Sequence, residues 1–262
     1  MTFQPIVPLS GYSGWRFLQR TLPVQQATFE QSAPIQRATS YFKENIAGIR
    51  SAEDLVANRQ LLEVALGAFG LGDDIDNKYF IQKVLEEGTE DTASLANKLS
   101  DPRYSDFSKA FGFGDSSIPN TSMPNFSETI VSRYETTKFE ISVGEQNSDL
   151  RAAMNVSSAL SDIVSGSANK DAQWFSIMGN PPLRRVVQSA LGLPDSIARI
   201  DIDQQLEAFK DKAKANFGTD NVSDLMDPDI QEDIIRLFLV RSDAQFSSAT
   251  SRFSIALTLL QS

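Results

Sequence analysis

The sequence predicts an all-α protein: an irregular multi-helix fold with two related helical halves, and not a regular solenoid. Three observations predict this class. Apolar residues recur at helical spacing along most of the chain, no segment alternates apolar and polar residues as a half-buried strand does, and a recurring glycine phrase ends successive helices. The two related halves are too divergent, and too few, for a solenoid, which usually stacks about three or more units.

The recurring glycine phrase spans six positions. It reads Ala-Phe-Gly-Leu-Gly-Asp at 68–73, Ala-Phe-Gly-Phe-Gly-Asp at 110–115 and Ala-Leu-Gly-Leu-Pro-Asp at 190–195. A predicted N-cap opens the amphipathic run before each copy: Asn58, Asp101 and Asn180. Because glycine adopts the left-handed conformation without a Cβ clash, we predict positive φ angles for Gly70 and Gly192 at helix ends. We expect the aspartate that closes each phrase to cap the next helix.

Residues 1–34 are predicted to form an N-terminal arm, because prolines interrupt them and their helical periodicity is weak. The arm carries an aromatic cluster around Trp15, Phe17 and Leu18. Aromatic side chains bury large apolar areas, so we expect the cluster to pack against the body of the protein. The alternative is a docking peptide for another protein, with these three residues as the candidate interaction residues.

Residues 35–119 form the first predicted helical half. Ser51 begins a capping box, and leucines at helical spacing follow it as far as the first glycine phrase. Residues 112–126 are rich in Pro, Gly, Ser and Thr, and they are the predicted linker. This half therefore ends within the linker.

Residues 120–262 form the second predicted half. Its first apolar positions, between 130 and 164, fit either one long helix or an antiparallel hairpin that turns near Gly144. Asn180 and Pro181 then begin a helix as its cap and first residue. Further amphipathic runs follow, so this half is also predicted to be helical.

The two halves share an order of motifs. Residues 68–111 align with residues 190–238, since each segment contains Ala-x-Gly-Leu, an amphipathic helix, and an Asp-Pro pair that precedes another helix. These pairs predict Asp101 and Asp227 as helix N-caps. A duplicated helical half explains the alignment better than a repeat array does.

Composition removes several classes of function. The chain of 262 residues has a net charge of −10 and a pI near 4.6, so nucleic acid and anionic membranes are unfavourable partners. It contains no Cys and no His, which excludes disulfides, thiolate nucleophiles, Ser-His-Asp triads and the usual zinc sites.

No apolar run reaches the ~18–20 residues of a membrane span, and the N-terminus lacks the features of a cleaved signal peptide. We therefore expect a cytoplasmic protein, or one exported without such a signal.

Two acidic segments are interpreted as surface charge. Residues 73–77 look like the start of a calcium loop, but the EF-hand positions that need Gly and Glu hold Lys78 and Val84. The acids between Glu86 and Asp91 flank a helix junction, where nothing predicts the burial that tunes a catalytic carboxylate. The sequence therefore predicts no catalytic residue, no cofactor-binding residue and no metal ligand.

Several short strings carry a resemblance to a protein family. They are Gly-Tyr-Ser-Gly-Trp-Arg-Phe-Leu-Gln-Arg-Thr at 11–21 and shorter strings at 41–46, 52–56, 65–71 and 110–114. Together they resemble a family of alphaproteobacterial proteins that is classed as a domain of unknown function. The resemblance covers essentially the whole chain and implies an all-helical fold. Because members of that family are frequently encoded among flagellar and motility genes, it also implies a motility context, and it brings no catalytic residues.

The function that these observations favour is that of a non-enzymatic protein of the bacterial flagellar system. It would act as a structural, assembly or regulatory partner of other proteins, in the cytoplasm or associated with the flagellum. One alternative is an enzyme that uses carboxylates or a divalent metal, which three or more acids converging in one pocket would favour. Another is a helical module that binds a small molecule or a peptide, which a large apolar cleft would favour.

Overall fold

The structure, a computed structural model, describes the backbone of residues 3–260 and the side chains of residues 3–244. Over that range the backbone contains helices, turns and bends but no strand, so the predicted all-α class is confirmed. The α-helices are α1 Gly11–Glu30, α2 Ala33–Asn45, α3 Ala52–Ala57, α4 Arg59–Ala68, α5 Lys78–Glu87, α6 Leu95–Lys98, α7 Pro102–Phe111, α8 Phe126–Gln146, α9 Ser148–Met154, α10 Val156–Gly166, α11 Lys170–Gly179, α12 Pro181–Leu191, α13 Ile202–Phe217 and α14 Pro228–Leu260. Within the described residues, none of these helices combines the length and the apolarity needed to cross a bilayer.

The chain divides into two compact units. Unit 1 contains the residues up to Pro5 together with Leu22–Ser142, and unit 2 contains Ile6–Thr21 together with the chain from Val143 onward. This division differs from the predicted boundaries at 34/35 and 119/120, because one change of unit falls inside α1 and another inside α8. Each unit therefore draws on separate stretches of sequence.

The predicted arm at 1–34 is wrong for residues 11–30, which form the helix α1. Pro23 lies inside this helix, where it has no N–H to donate to the carbonyl group four residues earlier. The buried side chains of α1 fall on one helical stripe: Trp15, Leu18, Gln25 and Phe29. Burial of that stripe outweighs the ~3 kcal/mol that an interior proline costs, as tertiary packing often outweighs local preference.

The predicted linker at 112–126 packs on unit 1 instead of separating two halves. The hydroxyl group of Thr121 donates to the carbonyl oxygen of Ile49 at 2.7 Å. The side-chain amide of Asn120 donates to the carbonyl oxygen of Ala110 at 3.0 Å. At its end, the ring of Phe126 packs edge-on against Phe111 with 5.2 Å between centroids. These contacts explain why the segment belongs to unit 1.

Aromatic rings form much of the core of unit 1. Phe107 on α7 lies edge-on to Phe69 at 5.4 Å and contacts Phe111 at 5.1 Å between centroids, and all three side chains are buried. Each such pair contributes about 0.5–1.5 kcal/mol beyond the apolar area that it buries. The first two glycine phrases supply Phe69 and Phe111, so these phrases also place core side chains.

The core of unit 2 is built around the packing of α12 against α14. Trp174 on α11 is completely buried, its Nε1 atom donates to the carbonyl oxygen of Asp220 at 2.8 Å, and its ring lies edge-on to Phe209 at 6.2 Å. Asn147 caps α9 by accepting hydrogen bonds from the N–H groups of Asp149 and Leu150. Because α8 ends just before this cap, the chain does not form the single long helix that remained open between 130 and 164.

The predicted glycine ends and two of the predicted N-caps are present in the structure. Gly70 and Gly192 have φ angles of 68° and 71°, and both predictions are confirmed. The side chains of Asp101 and Asp227 accept hydrogen bonds from backbone N–H groups of the first turns of α7 and α14, so both predicted caps are confirmed. In addition, Arg241 donates to the carbonyl oxygens of Ser189 and Ala190 and thereby satisfies the end of α12.

The closing aspartates of the phrases do not cap the helices that follow them, so that prediction is wrong. Asp73 and Asp195 lie within short 3-10 turns, and Asp115 instead binds the turn after α5 through the N–H groups of Thr89 and Glu90. The shared order of elements remains. In both units a glycine-terminated helix, α4 or α12, is followed by a 3-10 turn, an amphipathic helix and finally an Asp-capped helix.

Candidate protein-binding surface on the first helix

The first half of α1 has one side buried in unit 2. Trp15 and Leu18 are 8% and 1% exposed. Gly14 lets the chain before the helix pass close to it, because a Cβ atom there would collide with the carbonyl oxygen of Leu9. The inner side of the helix is therefore fixed.

The carboxylate of Glu232, on α14, accepts hydrogen bonds from three side chains of α1. Its Oε1 atom accepts from the hydroxyl group of Tyr12 at 2.9 Å. Its Oε2 atom accepts from Nε1 of Trp15 at 3.3 Å and from Nε2 of Gln19 at 3.1 Å. Hydrogen bonds to an ionised acceptor are stronger than those between neutral groups. Glu232 therefore reinforces the packing of the first half of α1, in which Trp15 and Leu18 are already buried.

Burial and the hydrogen bond to Glu232 both raise the pKa of Tyr12 above its ordinary value of 10.0. The raised pKa therefore extends to more alkaline pH the range in which the hydroxyl group remains a donor to Glu232. The side chain of Glu232 is 31% exposed, so this hydrogen-bonded cluster lies at the edge of the surface and not in the core.

The outward side of α1 lines an open groove of about 740 Å³, which we call the α1 groove. Its lining residues are Leu9, Tyr12, Ser13, Arg16, Phe17, Gln19 and Arg20. Leu9 is 53% exposed and the side chain of Arg16 is 61% exposed. The guanidinium group of Arg20 lies over the ring of Phe17, 5.8 Å from its centroid. The groove thus combines apolar and aromatic surface with two cations.

The charge of the groove is opposite to that of the whole protein. The first acidic residue of the sequence is Glu30, and the only charged side chains before it are those of Arg16 and Arg20. The complete chain has a net charge of −10. The groove is therefore a small basic region on an acidic protein, although Glu232 lies 3.6 Å from Arg16 and offsets part of its charge.

The structure separates the three candidate interaction residues. Trp15 and Leu18 are buried, as the expectation of packing against the body required, whereas Phe17 lines the α1 groove and is partly exposed. Arg16 and Arg20 also line it, and the sequence analysis did not select them. Their separation of four residues, which places two side chains on one helix face, is the signal that could have identified them.

In the two acidic segments that the sequence analysis considered, several carboxylates form ion pairs or hydrogen bonds within the protein. Asp76 pairs with Arg59 at 2.5 Å, and Asp74 accepts from the hydroxyl group of Tyr104 at 2.7 Å. Glu87 accepts from the backbone N–H of Leu95 at the start of α6. Among the residues that the structure describes, no group of three or more Asp, Glu, His or Cys side chains is placed to hold a metal ion.

Comparison with known proteins gives the family and the fold. Residues 68–230 match a family described as "Protein of unknown function (DUF1217)", and the chain belongs to this family. The structure is similar to the crystal structure of protein AGR_C_984 from Agrobacterium tumefaciens, with a TM-score of 0.71 and 24% sequence identity over 92% of this chain and 99% of that chain. At this identity the likeness establishes a shared fold. No curated protein matches the sequence.

Proposed function

We propose that this protein is a non-enzymatic component of the bacterial flagellar system that binds another protein of that system through the α1 groove. It acts there as a structural, assembly or regulatory partner, in the cytoplasm or at the flagellum. The family resemblance described above supports the motility context. The observation that carries the binding function is the partly exposed ring of Phe17, which lines one groove together with the exposed cations Arg16 and Arg20.

Partly exposed aromatic and arginine side chains are the residue types that contribute most to protein interfaces. Here they stand on a helix whose opposite side is fixed by Trp15, Leu18 and the hydrogen bonds to Glu232. A surface that is already ordered loses less conformational entropy on binding than a flexible segment does. The α1 groove therefore suits recognition of a partner better than a disordered arm would.

The experiment is a comparative co-purification from motile cells of the native host. The tagged native protein is compared with Phe17→Ser and with the matched control Phe175→Ser, which changes an aromatic residue that is 36% exposed on α11. We expect Phe17→Ser to lose an identified flagellar protein that the native chain and the control both retain. Swimming should fall for Phe17→Ser alone.

Two results would contradict the proposal. One is recovery of the same flagellar protein with Phe17→Ser in undiminished amount, which would remove the groove from the interface. The other is normal swimming of cells that lack the protein altogether. Thermal melting of both purified variants guards against loss of binding through unfolding, since a partly exposed Phe→Ser change should lower stability by about 1 kcal/mol or less.

A further inference from the structure

We infer that the α1 groove binds an acidic amphipathic helix of a partner protein. Carboxylates of that helix pair with Arg16 and Arg20, and its apolar side chains cover Leu9 and Phe17. This inference rests on the proposed function and adds the chemistry of the partner. It is carried by charge: the groove is lined by two arginines, and the nearby carboxylate of Glu232 offsets only part of the charge of Arg16.

The two arginines can reach a partner. Arg16 lies 3.6 Å from Glu232, which is longer than the ~2.7–2.9 Å of a direct charge-assisted hydrogen bond, and its side chain is 61% exposed. Arg20 is also exposed, and its guanidinium carbon lies over the ring of Phe17, 5.8 Å from the centroid, beside the apolar part of the groove. Arginine presents a fork of donors that matches the two oxygens of a carboxylate.

The spacing of the two arginines along α1 matches the spacing of acidic residues on a partner helix. Arg16 and Arg20 are one turn apart, or about 6 Å along the axis of α1. Glutamates four residues apart on a facing helix have the same spacing. The lining extends from Leu9 to Arg20, so a partner helix of about three turns covers it. Binding of an amphipathic helix by its apolar face in a groove is a common mode of peptide recognition.

The test uses three labelled helical peptides with the same leucine pattern and with Glu, Gln or Lys at the positions that flank it. Binding to the full-length protein is measured by fluorescence anisotropy at about 0.01 M and about 1 M salt, where the Debye length is about 30 Å and about 3 Å. A DNA duplex with the same number of negative charges is measured in parallel. Charge and shape are thereby separated.

We expect the Glu peptide to bind at least about tenfold more tightly than the Gln and Lys peptides at low salt, and to lose that advantage at high salt. Arg16→Gln combined with Arg20→Gln should weaken its binding about tenfold, because each exposed ion pair contributes only a few-fold to the affinity. The control Arg37→Gln, at an exposed arginine on α2, should leave binding unchanged. If the double variant does not fold, Arg20→Gln alone should weaken binding about threefold.

Equal binding of the Glu and Gln peptides, no binding of any peptide, or equal binding of the DNA duplex would overturn the inference. These failures are distinguishable from failure of the proposed function. If Phe17→Ser abolishes co-purification of the flagellar partner but the Glu peptide has no advantage, the groove binds a partner of other chemistry. If Phe17→Ser retains the partner, the proposed function itself fails.

Discussion

The Nε1 atom of Trp15 lies 3.3 Å from Oε2 of Glu232, so a carboxylate on α14 holds the indole of α1 in a fixed position. The two residues are 217 positions apart in the sequence. Tyr12 and Gln19 donate to the same carboxylate, so one side chain of α14 adds three hydrogen bonds to the apolar burial that fixes the inner side of α1.

Replacement of Glu232 by Ala should lower the free energy of unfolding by about 1–3 kcal/mol, because partly buried donors then lose an ionised acceptor. In a Trp174→Phe background, the emission of Trp15 should be that of a buried indole and should shift to the red in the Glu232→Ala variant. Asp233→Ala, which removes an exposed ion pair with Arg236, is the control and should cost about 0.5 kcal/mol or less. Equal stability of the two variants would show that Glu232 does not hold α1.

Gly192→Ala should lower stability by about 1–2 kcal/mol, since a φ angle of 71° strains any residue that has a Cβ atom. The new methyl group would also lie 3.2 Å from the guanidinium carbon of Arg241. Gly179→Ala is the matched control, because Gly179 has no positive φ and a Cβ atom there meets nothing within 4 Å. Urea unfolding should give the control a stability equal to or above that of the native protein.

Asp115→Asn should lower stability at neutral pH by about 1–2 kcal/mol, because both N–H groups of the turn at Thr89 and Glu90 then donate to a neutral amide oxygen, a weaker acceptor than the carboxylate. Asp73→Asn changes the same place in the first glycine phrase, where the residue is exposed, and should be nearly neutral. If both variants unfold at the same urea concentration, the turn does not depend on Asp115.

The difference in stability between the native protein and Asp115→Asn has a predicted pH dependence. Burial acts to raise the pKa of Asp115, but the hydrogen bonds from Thr89 and Glu90 outweigh it and hold the pKa below the ordinary 3.8. The stabilisation is therefore complete above pH 3.8 and is lost as the pH falls through the lower, folded-state pKa. The difference between native protein and Asp115→Asn should narrow at acid pH.

Tyr134→Phe should flatten the loss of stability at alkaline pH. Burial raises the pKa of Tyr134 from 10.0 to about 12, so between these values the folded protein keeps a proton that the unfolded chain releases. Stability must therefore fall as the pH rises through this interval, and the phenylalanine variant lacks that contribution. Tyr79→Phe, at a side chain that is 79% exposed, is the control. If the stability of Tyr134→Phe falls with alkaline pH as steeply as that of the native protein, the raised pKa of Tyr134 is contradicted.

The sequence was sufficient for the left-handed glycines and for the caps at Asp101 and Asp227 because their signals are local. A cap such as Asp101 and a left-handed glycine such as Gly192 each depend on a few neighbouring residues. The helix α1 was missed because Pro23 and nearby polar residues disfavour it locally. Its stripe through Trp15, Leu18 and Phe29 gains its stability from residues that are distant in the chain.

The groove was only partly predictable for the same reason. The aromatic cluster indicated the correct stretch, but the sequence does not state which side of an amphipathic helix is covered. That choice depends on distant residues such as Glu232, whose pairing with Trp15 no local pattern reveals. The boundary between the two units inside α8 was missed because this one helix contributes to both. Tyr134 packs against Gly67 in unit 1, and Gly144 packs against Arg151 in unit 2.

The most direct test of the account is site-specific photo-crosslinking in motile cells. A benzophenone side chain replaces Ser13, an exposed residue that lines the α1 groove, or Lys212, an exposed residue on α13, as the control. We predict that position 13 crosslinks to a flagellar protein, that position 212 does not, and that Phe17→Ser abolishes the product. The same products from both positions, or a product at 13 that persists with Phe17→Ser, would contradict the claim that this groove is the binding surface.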